Sequence, residues 1–219
     1  MTDLQKEYKT IFEFATTQIE EKKSRFISSV MPVKTEEEAV SFINSLKSKY
    51  WDASHNVYSY FTYGDSIIQR YSDDGEPSGT AGLPVLEVIK RTGVQDLVVV
   101  VTRYFGGTLL GAAGLIRAYS KSAALGIEAA GIIKKQLCFT VSLIVEYTLL
   151  GKVQSLLASN QYTVKNVKYQ QDAEIELFIP VDEVEIFNNL IIEATNARVL
   201  IEIGEKIYIT LGEDGKLIL

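Results

Sequence analysis

The pattern of apolar and polar positions at the start of the chain predicts two strands followed by a helix. Residues 10–17 and 25–33 are rich in β-branched and aromatic side chains, and the charged residues between them favour a turn, so a hairpin is predicted. Thr35 then precedes three consecutive glutamates and a series of apolar residues at helical spacing that ends near Lys49. This pattern is typical of a helix with Thr35 as its N-cap and acidic residues in its first turn.

A second hairpin, a helix and a buried strand are predicted next. Residues 57–63 and 67–71 are aromatic and β-branched runs, and the segment 64–66 between them has the composition of a compact turn. Residues 84–92 have the pattern of a helix that begins at a proline and ends before a glycine. The apolar run at residues 97–101 contains four consecutive valines. It is too short to cross a membrane and predicts a fully buried strand.

A long helix closes the first half, and the second half has a regular order of elements. Apolar residues recur at helical spacing from about residue 111 to residue 130, and Gly131 ends the pattern. The later elements are predicted as strand, helix, strand, strand, helix and strand at residues 137–145, 149–158, 162–169, 173–180, 184–195 and 198–211. This βαββαβ order is the ferredoxin-like arrangement. We therefore expect an α+β protein with domains at residues 1–134 and 135–219.

Two short passages in the first half combine residues that favour loops with residues that carry chemistry. Residues 73–82 contain three carboxylates, a proline and three glycines, a composition that interrupts helices and strands. Ser78 or Thr80 is expected to cap the helix that follows. Residues 103–107 have the sequence Arg-Tyr-Phe-Gly-Gly and join the buried strand to the long helix. A glycine-rich turn between a strand and a helix commonly presents polar groups.

The passages at residues 73–82 and 103–107 resemble motifs of the IMPACT/YigZ family. Residues 114–120, 22–26 and 53–56 are similar to the same family, so the resemblance spans the whole N-terminal half. It implies an N-terminal domain similar to the fourth domain of elongation factor G and a ferredoxin-like domain similar to its fifth. It also implies a connection with translation, because eukaryotic members modulate translation through partners of a stress-responsive initiation-factor kinase.

Cysteine count and charge narrow the function classes. One cysteine excludes an internal disulfide, and the N-terminus shows no secretory signal, so we expect a cytoplasmic protein without a membrane partner. The net charge is −6, with 15 basic and 16 acidic side chains in residues 1–134 and 7 and 12 in residues 135–219. The chain as a whole would be repelled by phosphates. A nucleic-acid surface would therefore have to be a local basic patch on the first half.

The acidic loop has a metal-binding and a structural interpretation. Asp73, Asp74 and Glu76 offer oxygen ligands of the kind that Mg²⁺ prefers. Their spacing is not that of an EF-hand, and clustered acids at a turn are usually solvated or capping. We favour a shaped recognition element facing Arg103, and we predict no metal and no other cofactor.

The glycines after Arg103 also have two interpretations. Gly106 and Gly107 lie near a helix start, where backbone N–H groups attract anions. A P-loop is excluded because Ala112 follows Gly111 where the Walker A motif requires lysine. Members of the family that the chain resembles often carry a lysine near this point. Structural glycines are therefore favoured over an anion cradle.

The arginines of the motif-rich region have a structural and a functional interpretation. Arg103 and Arg117 either pair with the acidic loop and fix it, or contribute to a patch for a phosphate backbone. Further basic residues of such a patch would be Lys22, Lys23, Arg25 and Lys121. Aromatic rings for stacking would come from Tyr58, Tyr60, Tyr104 and Tyr119, although aromatic residues at strand and helix spacing are more often core.

His55 is the only histidine, and Asn56 follows it. One histidine and one cysteine cannot form a zinc site of the usual kind. A nucleophile with His55 as base stays open, and the candidates are Ser54, Ser78 and Thr80. Without a visible nucleophile–base pair we predict no catalytic residue. Cys138 is expected to be a small buried side chain.

The sequence leaves three functional hypotheses. The leading one is a non-enzymatic cytoplasmic module of translation that binds RNA, or a ribosome-associated protein, without sequence-specific DNA contacts. The alternatives are a small-molecule or phosphate-ester enzyme that uses His55 and the acidic loop, and a protein–protein adaptor that acts through the C-terminal domain. The predicted binding residues are His55, Asn56, Asp73, Asp74, Glu76, Ser78, Thr80, Arg103, Tyr104, Gly106, Gly107, Arg117 and Lys121. The sequence does not indicate an oligomeric state.

Overall fold

The computed structural model describes residues 4–64, 66–212 and 215–218. Within them the chain divides into two compact units, one formed by residues 8–133 and the other by residues 4–7 together with the described residues from 134 onward. Both units combine antiparallel sheets with helices. The prediction of a two-domain α+β protein is therefore confirmed.

The first unit is built on one antiparallel sheet with the strand order β2-β3-β6-β4-β5. The elements of this half are β1 (Glu7–Ile11), β2 (Ala15–Glu21), β3 (Ser24–Pro32), α1 (Glu36–Lys49), β4 (His55–Tyr63), β5 (Ile67–Ser72), α2 (Gly82–Thr92), β6 (Leu97–Tyr104) and α3 (Ala112–Ala129). Both predicted hairpins and all three predicted helices are present. In the predicted turn between β4 and β5, Asp65 lies outside the described residues.

Two local features of this unit follow from backbone hydrogen bonding. Thr35 caps α1 as predicted, because its side chain accepts a hydrogen bond from the Glu38 N–H. The predicted strand at residues 10–17 is divided between β1 and β2. The Phe12 N–H donates instead to the carbonyls of Ala130 and Gly131, just after α3, so pairing between strands is interrupted there.

The sheet is covered on both faces, which explains why β6 is apolar without alternation. Leu97, Val99 and Val101 pack into a core with residues of α2 and α3. Val98 and Val100 point the other way and pack with residues of α1. All five side chains are buried, so the prediction of a buried strand is confirmed.

The second unit has the predicted βαββαβ order. Its elements are β7 (Ile132–Val145), α4 (Tyr147–Ser159), β8 (Thr163–Tyr169), β9 (Ala173–Pro180), α5 (Val184–Thr195), β10 (Leu200–Leu211) and the short β11 (Leu217–Ile218). The sheet order β11-β10-β7-β9-β8 places the first and third strands of the motif at its centre, which is the ferredoxin-like topology. Residues of α4 and α5 form a core with one face of this sheet. Across the described part of the chain, no helix is long and apolar enough to span a membrane.

Candidate functional site

Four connecting segments of the first unit meet at one end of its sheet. Strand pairing places Arg25 opposite Tyr104 and His55 opposite Arg103, and it places Tyr58 opposite Ser72. The β2–β3 turn, the α1–β4 loop, the β5–α2 loop and the β6–α3 loop therefore all lie at this end. The two motif-bearing passages of the sequence, on the last two of these loops, are thus brought together.

A buried carboxylate lies at the centre of this sheet end. Glu76, on the β5–α2 loop, is buried and accepts hydrogen bonds from the Arg103 guanidinium at 2.6 Å and the Tyr119 hydroxyl at 2.7 Å. The His55 Nε2 atom lies 3.8 Å from the same oxygen. Burial and the negative charge of Glu76 together raise the pKa of Tyr119 far above its usual range. Side chains from a loop, two strands and a helix are therefore joined by one acid.

Arg103 is part of this buried cluster and not of the solvent surface. Its second terminal nitrogen donates to Ser24 Oγ at 3.3 Å, and its guanidinium lies over the rings of Phe26 and Phe105 at 5.4 and 5.5 Å. The side chain is only 6% exposed. Of the two interpretations of Arg103, this geometry agrees with pairing to the acidic loop, since a phosphate would not reach a guanidinium buried in this way.

Asp73 shapes the loop and the start of α2. Its two carboxylate oxygens accept hydrogen bonds from the N–H groups of Gly79, Ala81 and Gly82, the last two of which open the helix. The predicted cap by Ser78 or Thr80 is therefore wrong, because the N-cap residue is Ala81 and no side chain of the adjacent turn caps the helix. The Thr80 hydroxyl donates to the Pro77 carbonyl instead, and Ser78 is exposed.

Asp74 ties the loop to the start of β4. Its carboxylate accepts from the Asn56 N–H at 2.6 Å and from the Lys47 ammonium at 2.8 Å. The Asn56 side chain in turn accepts from the Thr102 hydroxyl. Asp74 itself has a φ of 45°, which a non-glycine residue adopts only when its surroundings hold it there. The loop is thus held by three acids that each have a different set of donors.

This arrangement does not favour a metal site. The carboxylates of Asp73, Asp74 and Glu76 point to backbone amides, to Lys47 and to Arg103, not to a common centre. No group of three or more histidine, cysteine, aspartate or glutamate side chains in the described residues is placed to hold a metal ion.

His55 has one defined orientation. Its Nδ1 atom lies 2.8 Å from the Asp74 carbonyl oxygen, which can only accept, so Nδ1 carries the proton. Within the described residues no serine, threonine or cysteine side chain forms a hydrogen bond with His55. The Ser54 hydroxyl accepts from the Phe105 N–H instead. Cys138 is buried in the second unit, where burial raises its pKa to about 11. Among the residues that the structure describes, His55 therefore forms no nucleophile–base pair.

The glycines of the β6–α3 loop hold the β2–β3 turn in place. A side chain on Gly106 would bring its Cβ within 2.0 Å of the Lys23 carbonyl carbon, so only glycine permits this approach. The Gly106 N–H donates to Ser24 Oγ. Lys22 and Lys23 form the two-residue turn with φ values of 45° and 67°, which is unusual for lysine. Because the Gly106 N–H is already hydrogen-bonded, these contacts favour a structural role for the glycines over anion binding. Gly107 has a φ of 79°, which allows the chain to reverse direction after β6.

Several basic side chains at this sheet end are exposed. Lys22, Lys23 and Arg25 are exposed on and beside the β2–β3 turn. Lys121, on α3, pairs with Glu21 at the end of β2, at 3.5 Å. Arg117 lies one helical turn closer to the start of α3. It is exposed and forms no hydrogen bond or ion pair with any described residue. We call Lys22, Lys23, Arg25 and Arg117 the cationic rim.

The four tyrosines considered for stacking lie mainly in the interior, which is the position that their strand and helix spacing favoured. Tyr60 and Tyr119 are buried, so they cannot stack on a ligand, and the favoured interpretation as core residues is confirmed for both. Tyr58 is half-buried and stacks on Tyr60. Tyr104 is half-buried, with Arg25 4.4 Å from the centre of its ring and its hydroxyl donating to Asp52.

Two exposed aromatic residues at this end were missed by the sequence analysis. Trp51, on the α1–β4 loop, is 83% exposed, and Phe105, on the β6–α3 loop, is 50% exposed. Trp51 is the only tryptophan of the chain and lies between the end of a predicted helix and the start of a predicted strand. The position of a tryptophan in a predicted loop could have indicated its exposure.

Comparisons with known proteins agree with the two-unit architecture. Residues 22–127 match the model of the Impact N-terminal domain, and residues 143–198 match a domain of unknown function, DUF1949. IMPACT family member YvyE of Bacillus subtilis is 41% identical over 202 residues, which covers 92% of this chain and 93% of that protein. A crystal structure of a hypothetical protein is 28% identical, with a TM-score of 0.58, and the match covers 92% of this chain and 98% of the other.

More distant relatives share part or most of the chain. IMPACT family member YigZ of Escherichia coli is 33% identical over 175 residues, covering 78% of this chain and 86% of that protein. Protein IMPACT of Xenopus laevis is 35% identical over 98 residues, covering 42% of this chain and 31% of that protein. These matches define a two-domain protein with an Impact-type N-terminal domain. The chain belongs to the IMPACT family.

Replacing Glu76 with glutamine tests the central role of the buried acid. Glu76→Gln keeps the side-chain shape but leaves the buried Arg103 without its counter-charge, so we expect the free energy of unfolding to fall by about 3–5 kcal/mol. The matched control is Glu87→Gln on the exposed face of α2, which should change it by less than about 0.5 kcal/mol. Urea denaturation followed by circular dichroism measures both. Equal stability of the two variants would contradict this role.

The raised pKa of Tyr119 predicts a loss of stability in base. The unfolded tyrosine ionises near pH 10, whereas the folded one stays protonated, so above that pH the unfolded state binds fewer protons. The free energy of unfolding should fall by about 1.4 kcal/mol per pH unit from this residue alone. In the Tyr119→Phe variant the free energy of unfolding, measured by urea denaturation between pH 10 and 11.5, should therefore fall less steeply with pH than in the wild type. The same pH dependence of stability in the variant and the wild type would exclude this contribution of Tyr119.

Proposed function

We propose that this protein is a cytoplasmic RNA-binding module of the translation apparatus, and that it contacts RNA through the sheet end of its first unit. The observation that carries the proposal is the cationic rim, which presents exposed basic side chains on and beside the β2–β3 turn and near the start of α3, in a chain whose net charge is −6. RNA binding depends on such local concentrations of positive charge.

The internal bonding of the acidic loop supports a positive local field. Glu76 is neutralised by Arg103, Asp74 is paired with Lys47, and the Asp73 carboxylate is bound by backbone amides. A loop with three acids therefore does not oppose an approaching phosphate as strongly as its sequence indicates. Asp52 and Glu20 are exposed acids at this end, and Glu21 is half-buried and paired with Lys121, which limits indiscriminate binding of polyanions.

The shape of the β2–β3 turn supports a functional role for its lysines. Positive φ angles at two consecutive lysines cost free energy. This conformation persists because Gly106 packs against the Lys23 backbone and donates a hydrogen bond to Ser24 Oγ. Asn-Gly or Gly-Gly would form the same turn without that cost. The residues present instead place two ammonium groups beside Arg25.

The family supports the connection with translation. The chain matches proteins named IMPACT in its N-terminal unit, and the resemblance associates eukaryotic members with control of translation. The geometry of His55 gives no comparable support to the enzyme hypothesis, since no described nucleophile is bonded to it. We therefore place the RNA contact ahead of catalysis.

The salt dependence of RNA binding tests the proposed contacts. For a single-stranded RNA the slope of log K against log salt should fall by about 0.7 for each phosphate contact removed. The triple variant Lys22→Gln, Lys23→Gln and Arg117→Gln should therefore bind more weakly and with a shallower slope than the wild type. The matched control is Arg91→Gln, an exposed arginine at the far end of α2.

Fluorescence anisotropy of a labelled RNA, titrated between low and moderate salt, gives both affinity and slope. The control variant should retain the wild-type slope. Binding that is insensitive to salt, or a slope that Arg91→Gln lowers as much as the triple variant, would contradict the proposal. Capture of a ribosomal protein by RNA-free protein at the same surface would favour a protein partner instead.

A further inference from the structure

We propose that this sheet end binds single-stranded RNA and that the exposed rings of Trp51 and Phe105 stack on its unpaired bases. The inference rests on the proposed function and specifies its ligand. Phosphate contacts alone do not distinguish single strands from duplexes, whereas stacking requires bases that are free to leave a helix. Exposed aromatic residues beside the cationic rim would supply the stacking surfaces for such bases.

Trp51 is displayed on a loop with internal hydrogen bonds. The loop begins where the Tyr50 N–H donates to the Leu46 carbonyl, at the end of α1, and the Ala53 N–H donates back to the Tyr50 carbonyl. Asp52, next to the tryptophan, accepts a hydrogen bond from the Tyr104 hydroxyl at 2.8 Å. A tryptophan that is 83% exposed on such a loop presents most of its ring to solvent.

Phe105 is tied to the same loop by two hydrogen bonds. The Phe105 N–H donates to Ser54 Oγ at 3.1 Å, and the Ser54 N–H donates to the Arg103 carbonyl at 2.9 Å. The buried Arg103 guanidinium lies 5.5 Å from the centre of the Phe105 ring. Phe105 is 50% exposed, so Phe105 and Trp51 are both exposed on two loops that hydrogen bonds fix to each other.

Basic side chains and aromatic rings are neighbours at two places near this end. Arg25 lies 4.4 Å from the ring centre of Tyr104, and Lys49 lies 5.0 Å from that of Tyr50. Such interleaving is the composition that single-strand binding surfaces use, because bases stack on rings while neighbouring cations contact phosphates. The surface therefore offers cations for phosphates, which a duplex can also use, and exposed rings for stacking, which only unpaired bases can use.

Comparison of a single strand with a duplex tests the inference. Affinities for an oligouridylate and for a blunt RNA duplex with the same number of phosphates are measured by fluorescence anisotropy. Trp51→Leu and Phe105→Leu should each weaken oligouridylate binding by roughly tenfold and leave duplex binding unchanged. The matched control is Tyr169→Leu, an aromatic residue of the second unit that is 63% exposed and should leave both affinities unchanged.

The single tryptophan provides a second readout on the unmodified protein. With excitation at 295 nm its fluorescence should be quenched by oligouridylate and not by the duplex. Equal affinity of both variants and the wild type for oligouridylate would overturn the stacking inference while leaving the phosphate contacts in place. If Trp51→Leu and Phe105→Leu weakened the binding of single strand and duplex equally, the stacking inference would also be overturned. Failure of the wild type to bind either RNA would overturn the proposed function itself.

Discussion

The structure of the first unit depends on the buried ion pair between Glu76 and Arg103. The acid lies on the β5–α2 loop, its guanidinium partner comes from the end of β6, and Tyr119 of α3 donates to the same oxygen. Two opposite charges that are taken out of water must remain together, because either one alone would be strongly unfavourable in the core. This constraint fixes the β5–α2 loop to the sheet and so determines which side chains of the loop are exposed to solvent.

The surface chemistry of the sheet end follows from that constraint. The acids of the loop are directed inward, towards Arg103, Lys47 and the first amides of α2, while the basic residues of the β2–β3 turn remain outside. The close approach of Gly106 to Lys23 gives the turn its position. An acidic sequence motif thus supports a basic surface, and the exposed rings of Trp51 and Phe105 lie on loops fixed by the same network.

Much of the fold could be predicted from local pattern, whereas the site could be predicted only in part. The βαββαβ order, the cap at Thr35 and the buried strand each follow from periodicity or capping within a few residues. The cap of α2 could not be predicted in this way, because Asp73 acts from eight and nine positions before the amides it binds. The burial of Tyr119 agrees with its place on the apolar face of a helix, whereas the exposure of Trp51 depends on how the α1–β4 loop packs, which no short stretch of sequence determines.

Ultraviolet cross-linking of the full chain to a uridine-rich single-stranded RNA, with mass-spectrometric mapping of the modified peptides, most directly tests whether this sheet end is the RNA-binding surface. The account predicts that cross-links concentrate on the α1–β4 loop around Trp51, on the β6–α3 loop around Phe105 and on the lysines of the β2–β3 turn. It also predicts that Glu76→Gln disperses them. Cross-links confined to the sheet of the second unit, with none on these loops, would contradict it.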